Sequence, residues 1–238
     1  MKKYILLLPF ALLFTSCFFY AGINGSGRLV STTYSTSGFY AVKASDASDV
    51  TISYSDHYSI TLICDDNLVS YINLHSDGYY LYIEMLPGYS VYNSTFTVNI
   101  TMPDINALFV EDASNVQLSG FNLNDNLNLD ITDAAKVDIY LTDANNLTVS
   151  VSDASSLQVS SVYPVENLDI YCEDLSTADF KDMLCTYAEI TVTGMSSLRV
   201  NMAGSIIGQV TDASTLFFRG TVSPGPILFS GASGIVYY

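Results

Sequence analysis

Apolar and polar residues alternate through most of this chain, and helical periodicity is absent beyond the first stretch of residues. Period-two alternation is the mark of β-strands with one buried face. Over residues 108–238 it is organised about a short recurring turn. Glu111-Asp112-Ala113-Ser114, Thr132-Asp133-Ala134-Ala135, Ser152-Asp153-Ala154-Ser155 and Glu173-Asp174-Leu175-Ser176 open the series. Thr193-Gly194-Met195-Ser196, Thr211-Asp212-Ala213-Ser214 and Ser230-Gly231-Ala232-Ser233 continue it. The second residues of these turns follow one another at steps of 21, 20, 21, 20, 18 and 19 positions. An earlier copy, Ser45-Asp46-Ala47-Ser48, stands alone near the start.

Columns either side of the turn say what the repeat builds. Two residues before the anchor stand Val110, Ile131, Val151, Cys172, Val192, Val210 and Phe229. Four after it stand Val116, Val137, Leu157, Ala178, Leu198, Leu216 and Ile235, and six after it Leu118, Ile139, Val159, Phe180, Val200, Phe218 and Tyr237. Register kept over a spacing near 20 residues requires each copy to stack on the last, so the pattern predicts an all-β, parallel β-solenoid. The turn chemistry agrees, because Asp and Gly tolerate left-handed backbone geometry. Ala is small enough to pass between neighbouring levels, and the Ser column can turn inward to cap backbone groups. The second corner, at Asn122 to Asn126, Thr142 to Asn146 and Ser160 to Glu166, varies in length and content.

Residues 28–107 repeat less regularly but read as strands, forming larger, irregular coils that cap the stack. Val50 to Tyr54 and Tyr58 to Ile63 read as a hairpin-like pair; Tyr79 to Ile83 and Phe96 to Ile100 follow, with a Met85 to Tyr92 loop between them.

The N-terminus has a different character. Lys2 and Lys3 precede an apolar run from Tyr4 to Phe14, too short to span a bilayer. Phe14-Thr15-Ser16-Cys17 then resembles a bacterial lipobox, which implies cleavage before Cys17 and acylation of that residue. The domain reading is a lipoprotein signal peptide over 1–16, a lipidated tether over 17–27, and a single β-solenoid domain over 28–238. It places the protein on the outer membrane, with the membrane as a partner through the lipid anchor.

Composition narrows the function. Charged residues make up only 13%, and 24 acids against 8 bases give a net charge of −16. Losing Lys2 and Lys3 leaves 24 acids against 6 bases. Such a balance excludes nucleic acid as a partner. Cys64, Cys172 and Cys185 are odd in number and show no zinc or redox spacing; burial as small hydrophobes is their expected state, with a Cys172–Cys185 pair as the alternative.

The run of copies centred on a Ser-Gly-Ala-Ser-like turn is similar to the auto-transporter adhesin head GIN domain family, found in envelope lipoproteins of Bacteroidetes-type bacteria. Ser230-Gly231-Ala232-Ser233 matches that motif fully, and the other copies mostly carry Asp in place of its Gly. Phe39 to Ile52, Leu74 to Ile83 and Val98 to Ala107, with Met102-Pro103, also fit. The resemblance covers roughly residues 37–238. It implies a right-handed β-helix-like fold at the cell envelope and carries no catalytic residue with it.

Three classes of function compete: a non-enzymatic adhesin or glycan- or protein-binding solenoid, a periplasmic scaffold, and a polysaccharide-active β-helix enzyme. The enzyme has little to work with. Arg28, Lys43, Lys136, Lys181, Arg199 and Arg219 are scattered along the sequence, and His57 and His75 sit in Tyr-rich, turn-like stretches. The chain is therefore read as a non-enzyme without a cofactor. A binding surface is expected from tyrosines, which concentrate as Tyr54, Tyr58, Tyr71, Tyr79, Tyr80, Tyr82, Tyr89 and Tyr92. Tyr79, Tyr80, Tyr82, Tyr89 and Tyr92 are the candidates, for a glycan or protein ligand. Stacking would also bring Asp112, Asp133, Asp153 and Asp174 about 4.8 Å apart. That file of carboxylates could hold calcium, but is read here as turn chemistry with no metal.

Overall fold

A computed structural model of the chain describes residues 21–221 and 225–238. The signal-like segment 1–16 and Cys17 lie outside the described residues. Twenty-one strands and no helix are found among those described. The irregular part comprises β1 (Ala21–Asn24), β2 (Leu29–Tyr34), β3 (Ala41–Ala44), β4 (Asp49–Tyr54), β5 (Ser59–Asp65), β6 (Ile72–Ser76), β7 (Tyr80–Met85), β8 (Tyr89–Tyr92) and β9 (Phe96–Met102). The regular part opens with β10 (Ala107–Val110) and β11 (Asn115–Ser119). It continues with β12 (Asn122–Ile131), β13 (Lys136–Leu141), β14 (Asp143–Val151), β15 (Ser156–Ser161) and β16 (Val165–Cys172). Next come β17 (Thr177–Val192) and β18 (Ser197–Val210), then β19 (Thr215–Gly220), β20 (Ile227–Phe229) and β21 (Gly234–Tyr237).

These strands stack in parallel as a β-solenoid. Before the anchor turn the ladder runs β10, β12, β14, β16, β17, β18, β20; after it, β11, β13, β15, β17, β18, β19, β21. The column Val116, Val137, Leu157, Ala178, Leu198, Leu216 and Ile235 is paired residue to residue. Its members up to Leu216 are buried, as are Leu118, Ile139, Val159, Phe180, Val200 and Phe218. Apolar residues thus meet their own column above and below, and one narrow core runs along the axis. The ladder opens at the last coil, where Phe229 and Tyr237 are exposed. β17 and β18 pass the second corner without a break, because there the turn is reduced to register shifts between Phe180 and Leu184 and between Cys185 and Tyr187.

The N-terminal part departs from expectation in four places. The isolated Ser45–Ser48 turn is not isolated: β3 pairs with β10 and β4 with β11, so this turn lies directly against Glu111–Ser114 as a further level of the same stack, with β7 and β9 on its other side. Sixty-six residues separate the two turns in sequence, as the Ser48–Ser114 contact shows. Second, β4 and β5 are not a hairpin. β9 lies between them, parallel to β4 and antiparallel to β5, with β2 antiparallel on the far side of β5. Each apolar strand is thereby sandwiched between two others, which a two-stranded hairpin could not provide. Third, the Met85 to Tyr92 loop contains strand β8. Fourth, residues 21–24, inside the segment read as tether, form β1 and pair in parallel with β8. The buried carboxylate of Asp65 helps to fix this region, accepting hydrogen bonds from the Gly27 amide (2.6 Å) and the Thr95 amide (2.7 Å).

Candidate functional site

The anchor turn is built from strained backbone. Asp46, Asp112, Asp133, Asp153, Asp174 and Asp212 all have positive φ, and so do Ala47, Ala113, Ala134, Ala154, Leu175 and Ala213 beside them. Two left-handed residues closed by a first-to-fourth hydrogen bond, such as the Ser155 amide on the Ser152 carbonyl (3.1 Å), are the signature of a type I′ turn. Levels are tied together along the column. The Ala47, Ala113, Ala134 and Ala154 amides donate to the carbonyls of Asp112, Asp133, Asp153 and Asp174, at 2.8–2.9 Å. The Ser column turns inward as expected. Ser48, Ser114, Ser155, Ser176, Ser196 and Ser214 are buried, and the hydroxyls of Ser114, Ser155, Ser196 and Ser214 accept from backbone amides of the preceding level.

The Asp side chains find hydroxyl and amide donors. Oδ2 of Asp153 accepts from Thr132 Oγ1 (2.9 Å) and Ser152 Oγ (3.1 Å); Oδ2 of Asp212 accepts from Thr193 Oγ1 (2.6 Å) and Thr211 Oγ1 (3.1 Å). Asp46 accepts from the Met85 amide at 2.8 Å. These hydroxyls hold the Asp212 carboxyl below the usual carboxylate range. Partial burial pushes Asp112 up instead, and the carboxylates of Asp46 and Asp133 add to it. Glu111 is raised by burial too, then by Asp112 and Asp133. No group of three or more His, Cys, Asp or Glu among the described residues is arranged to hold a metal ion.

The five candidate tyrosines divide between two places. Tyr79, Tyr80 and Tyr82 lie on the outside of the sheet before the anchor turn. Tyr79 and Tyr80 meet edge to face with centroids 4.8 Å apart, and Tyr80 and Tyr82 lie 5.9 Å apart. Their neighbours were not legible from sequence. Tyr40 stands 6.4 Å from Tyr79, Phe109 5.9 Å from Tyr80, and His75 stacks on Tyr82 at 4.7 Å. Lys43 sets its ammonium 4.6 Å from the Tyr80 ring centre and 5.0 Å from that of Phe109. Pairing of β7 with β3, and of β3 with β10, brings these residues together. Asp77 organises the turn before them: its carboxylate accepts from the amides of Tyr79 (2.9 Å) and Tyr80 (2.8 Å) and from the Tyr82 hydroxyl (3.0 Å). The Tyr80 and Tyr79 amides hold the Asp77 carboxyl below the ordinary range. The Ser76-Asp77-Gly78 turn was the available sequence signal for it.

Tyr89 and Tyr92 belong to β8 and stand apart from that group; Tyr89 packs on Tyr71 at 4.7 Å. Tyr54 is at the second corner, half exposed, and Tyr58 and Tyr71 pack partly buried against the core. Tyr79 (45% exposed), Tyr89 (39%) and Tyr92 (53%) are open to solvent, whereas Tyr80 and Tyr82 are half-buried. The eight tyrosines therefore do not share one face.

The cations are less scattered than their sequence positions suggest. Arg199 and Arg219 both lie over the Tyr238 ring, at 5.8 and 5.4 Å, and Arg219 donates to the Lys181 carbonyl. Asp179 pairs with Arg199 at 2.7 Å and with Lys181 at 3.7 Å, and Asp182 also meets Lys181 at 3.7 Å. Parallel stacking of β17, β18 and β19 makes this cluster. Cys64, Cys172 and Cys185 are buried free thiols, and burial pushes Cys172 and Cys185 up to about 12. They are inert at neutral pH. His57 is exposed, and its amide donates to Ser55 Oγ at 3.3 Å.

Comparison with known proteins follows the fold. The family described as "Putative auto-transporter adhesin, head GIN domain" matches residues 38–221. A solved putative adhesin from Bacteroides fragilis superposes with a TM-score of 0.83 at 17% identity, covering 91% of this chain and 100% of that one. A putative lipid binding protein from Parabacteroides distasonis gives 0.71 at 14%, covering 91% and 99%. A putative adhesin from the same species gives 0.63 at 15%, covering 90% and 100%. At these identities the likeness concerns the fold. No curated protein matches the chain.

Proposed function

The chain belongs to the auto-transporter adhesin head GIN domain family, and from that premise we propose that it is a non-enzymatic envelope lipoprotein whose solenoid presents a binding surface. Cys17 carries the lipid that holds it to the outer membrane. The Tyr79, Tyr80 and Tyr82 surface, extended by Tyr40 and Phe109, receives a glycan or protein ligand. The observation that carries this reading is the clustering of aromatic rings on the outside of the sheet, fixed from below by Asp77. Rings held in place offer contact area at small entropic cost.

The test joins two measurements in a producing bacterium. Metabolic labelling with an alkyne fatty acid is expected to mark the wild-type protein and not Cys17→Ala. Protease added to intact cells is expected to degrade the protein; complete protection would favour the periplasmic scaffold and overturn the adhesin. Purified chain carrying Tyr79→Ala and Tyr82→Ala should lose adherence to immobilised glycans or envelope proteins that the wild type binds.

A further inference from the structure

At the second corner, where the irregular coils meet the first regular one, the surface opens into a groove of about 530 Å³. Tyr54, Asp104, Asn106, Asn122, Asn126 and Thr142 line it. It is a local exception to the repeat. β12 shifts register against β14 between Leu123 and Asn126, so the wall bows out there, and the chain after β9 supplies the opposite side through residues 103–106. Repetition alone would not produce such a cleft.

We propose that this groove is a binding site for a short, neutral oligosaccharide. Its volume lies in the range of small-molecule sites. Tyr54 provides the platform: the ring is half exposed, meets buried Phe121 edge to face at 6.0 Å, and its hydroxyl donates to Asp56 at 2.8 Å. Fixed at both ends, it can stack on the apolar face of a sugar ring without prior ordering. The walls are amides. Asn126 is oriented by its donation to Asn128 (2.7 Å) and by the Thr148 hydroxyl (3.2 Å). The side chains of Asn106, Asn122 and Thr142 have no partner among the described residues. Amides and hydroxyls both donate and accept, which matches sugar hydroxyls.

Charge selects against acidic sugars. Among the described residues no cation lines the groove and Asp104 puts a carboxylate into it, and the chain carries −16. A uronate or sulfated sugar would meet like charge with no counter-ion. This site is separate from the Tyr79–Tyr82 surface and does not depend on it.

The experiment is saturation-transfer NMR followed by calorimetry on the full chain. The probes are gluco-, manno-, galacto- and xylo-configured oligosaccharides of two to four rings, beside acidic counterparts. At least one neutral probe should bind. Tyr54→Ala should weaken it tenfold or more and Asn122→Ala severalfold; Tyr54→Phe, which keeps the ring and loses only the bond to Asp56, should weaken it less than Tyr54→Ala does, and Tyr82→Ala should not lower it. Thermal melts of each variant show whether it is folded, and Tyr54→Phe keeps the ring if Tyr54→Ala does not fold. Binding lost in Tyr82→Ala but kept in Tyr54→Ala would overturn the groove while supporting the aromatic surface. Tighter binding of acidic probes, or no neutral probe bound, would also overturn it.

Discussion

A side chain in left-handed backbone costs about 1–2 kcal/mol against the ordinary conformation, and this chain accepts that cost at every anchor turn from Asp46 to Ala213. Ala keeps the penalty small. Leu175 and Met195 do not: both have positive φ, and both are 60% exposed, so little packing compensates them. Leu175→Gly should therefore stabilise the fold by roughly 0.5–1 kcal/mol, after subtraction of the extra chain entropy that glycine brings to the unfolded state. Chemical denaturation measures it, and a loss of stability would show that Leu175 packs after all. The acids of the same turn respond to pH. Glu111 and Asp112 have raised values in the fold, so the native state holds their protons where the unfolded chain has released them. Their stabilising contribution is complete below the ordinary carboxylate value and disappears as pH rises through the raised one. Asp212 behaves oppositely, contributing at neutral pH and losing that contribution as pH falls through its lowered value. Asp112→Asn should raise the neutral-pH melting temperature and flatten the gain that wild type shows on acidification. An unchanged pH profile would mean that the neighbouring carboxylates are fully screened.

Strands here are defined by what lies one level above and below, more than by their own sequence. β18 illustrates the constraint. At Gly208 φ is +135°, and a Cβ there would lie 1.9 Å from the Ile190 carbonyl oxygen of β17. Gly208→Ala should cost roughly 2–4 kcal/mol, read as a fall in the denaturation midpoint, because the offending atom is backbone and cannot step aside. The same dependence on neighbours explains β9. Alternation in Phe96 to Met102 announces a strand, but its place between β4 and β5 follows from long-range pairing. A single hairpin would leave two apolar faces without cover.

Across the whole molecule, stability should fall toward the last coil. From Phe39 to Phe218 the core columns are closed on both sides, whereas Phe229 and Tyr237 occupy core columns and yet are exposed. Opening that end breaks fewer apolar contacts. Amides of Ile227–Phe229 and Gly234–Tyr237 are expected to exchange with deuterium well before those of β12 to β16. Equal protection along the axis would point to all-or-none unfolding of the stack.

Much of this could be read from the sequence, since a solenoid repeats one local decision. Each anchor turn carries its own left-handed residue, and each flanking strand its own apolar alternation. Stacking at a spacing near 20 residues satisfies all copies together, so fold class, core columns and the inward Ser column were legible residue by residue. Tertiary structure decided what depends on pairs far apart in the chain. It set Ser45–Ser48 against Glu111–Ser114, placed β9 between β4 and β5, and drew residues 21–24 into a strand with β8. It also gathered the surface chemistry: Lys43 and Phe109 beside Tyr80, Arg199 and Arg219 over Tyr238, and Tyr54 across from Asn122. Outward-facing positions carry no periodic signal, because solvent accepts many side chains there. Only the register between levels determines which of them meet, and that register is fixed by the buried face.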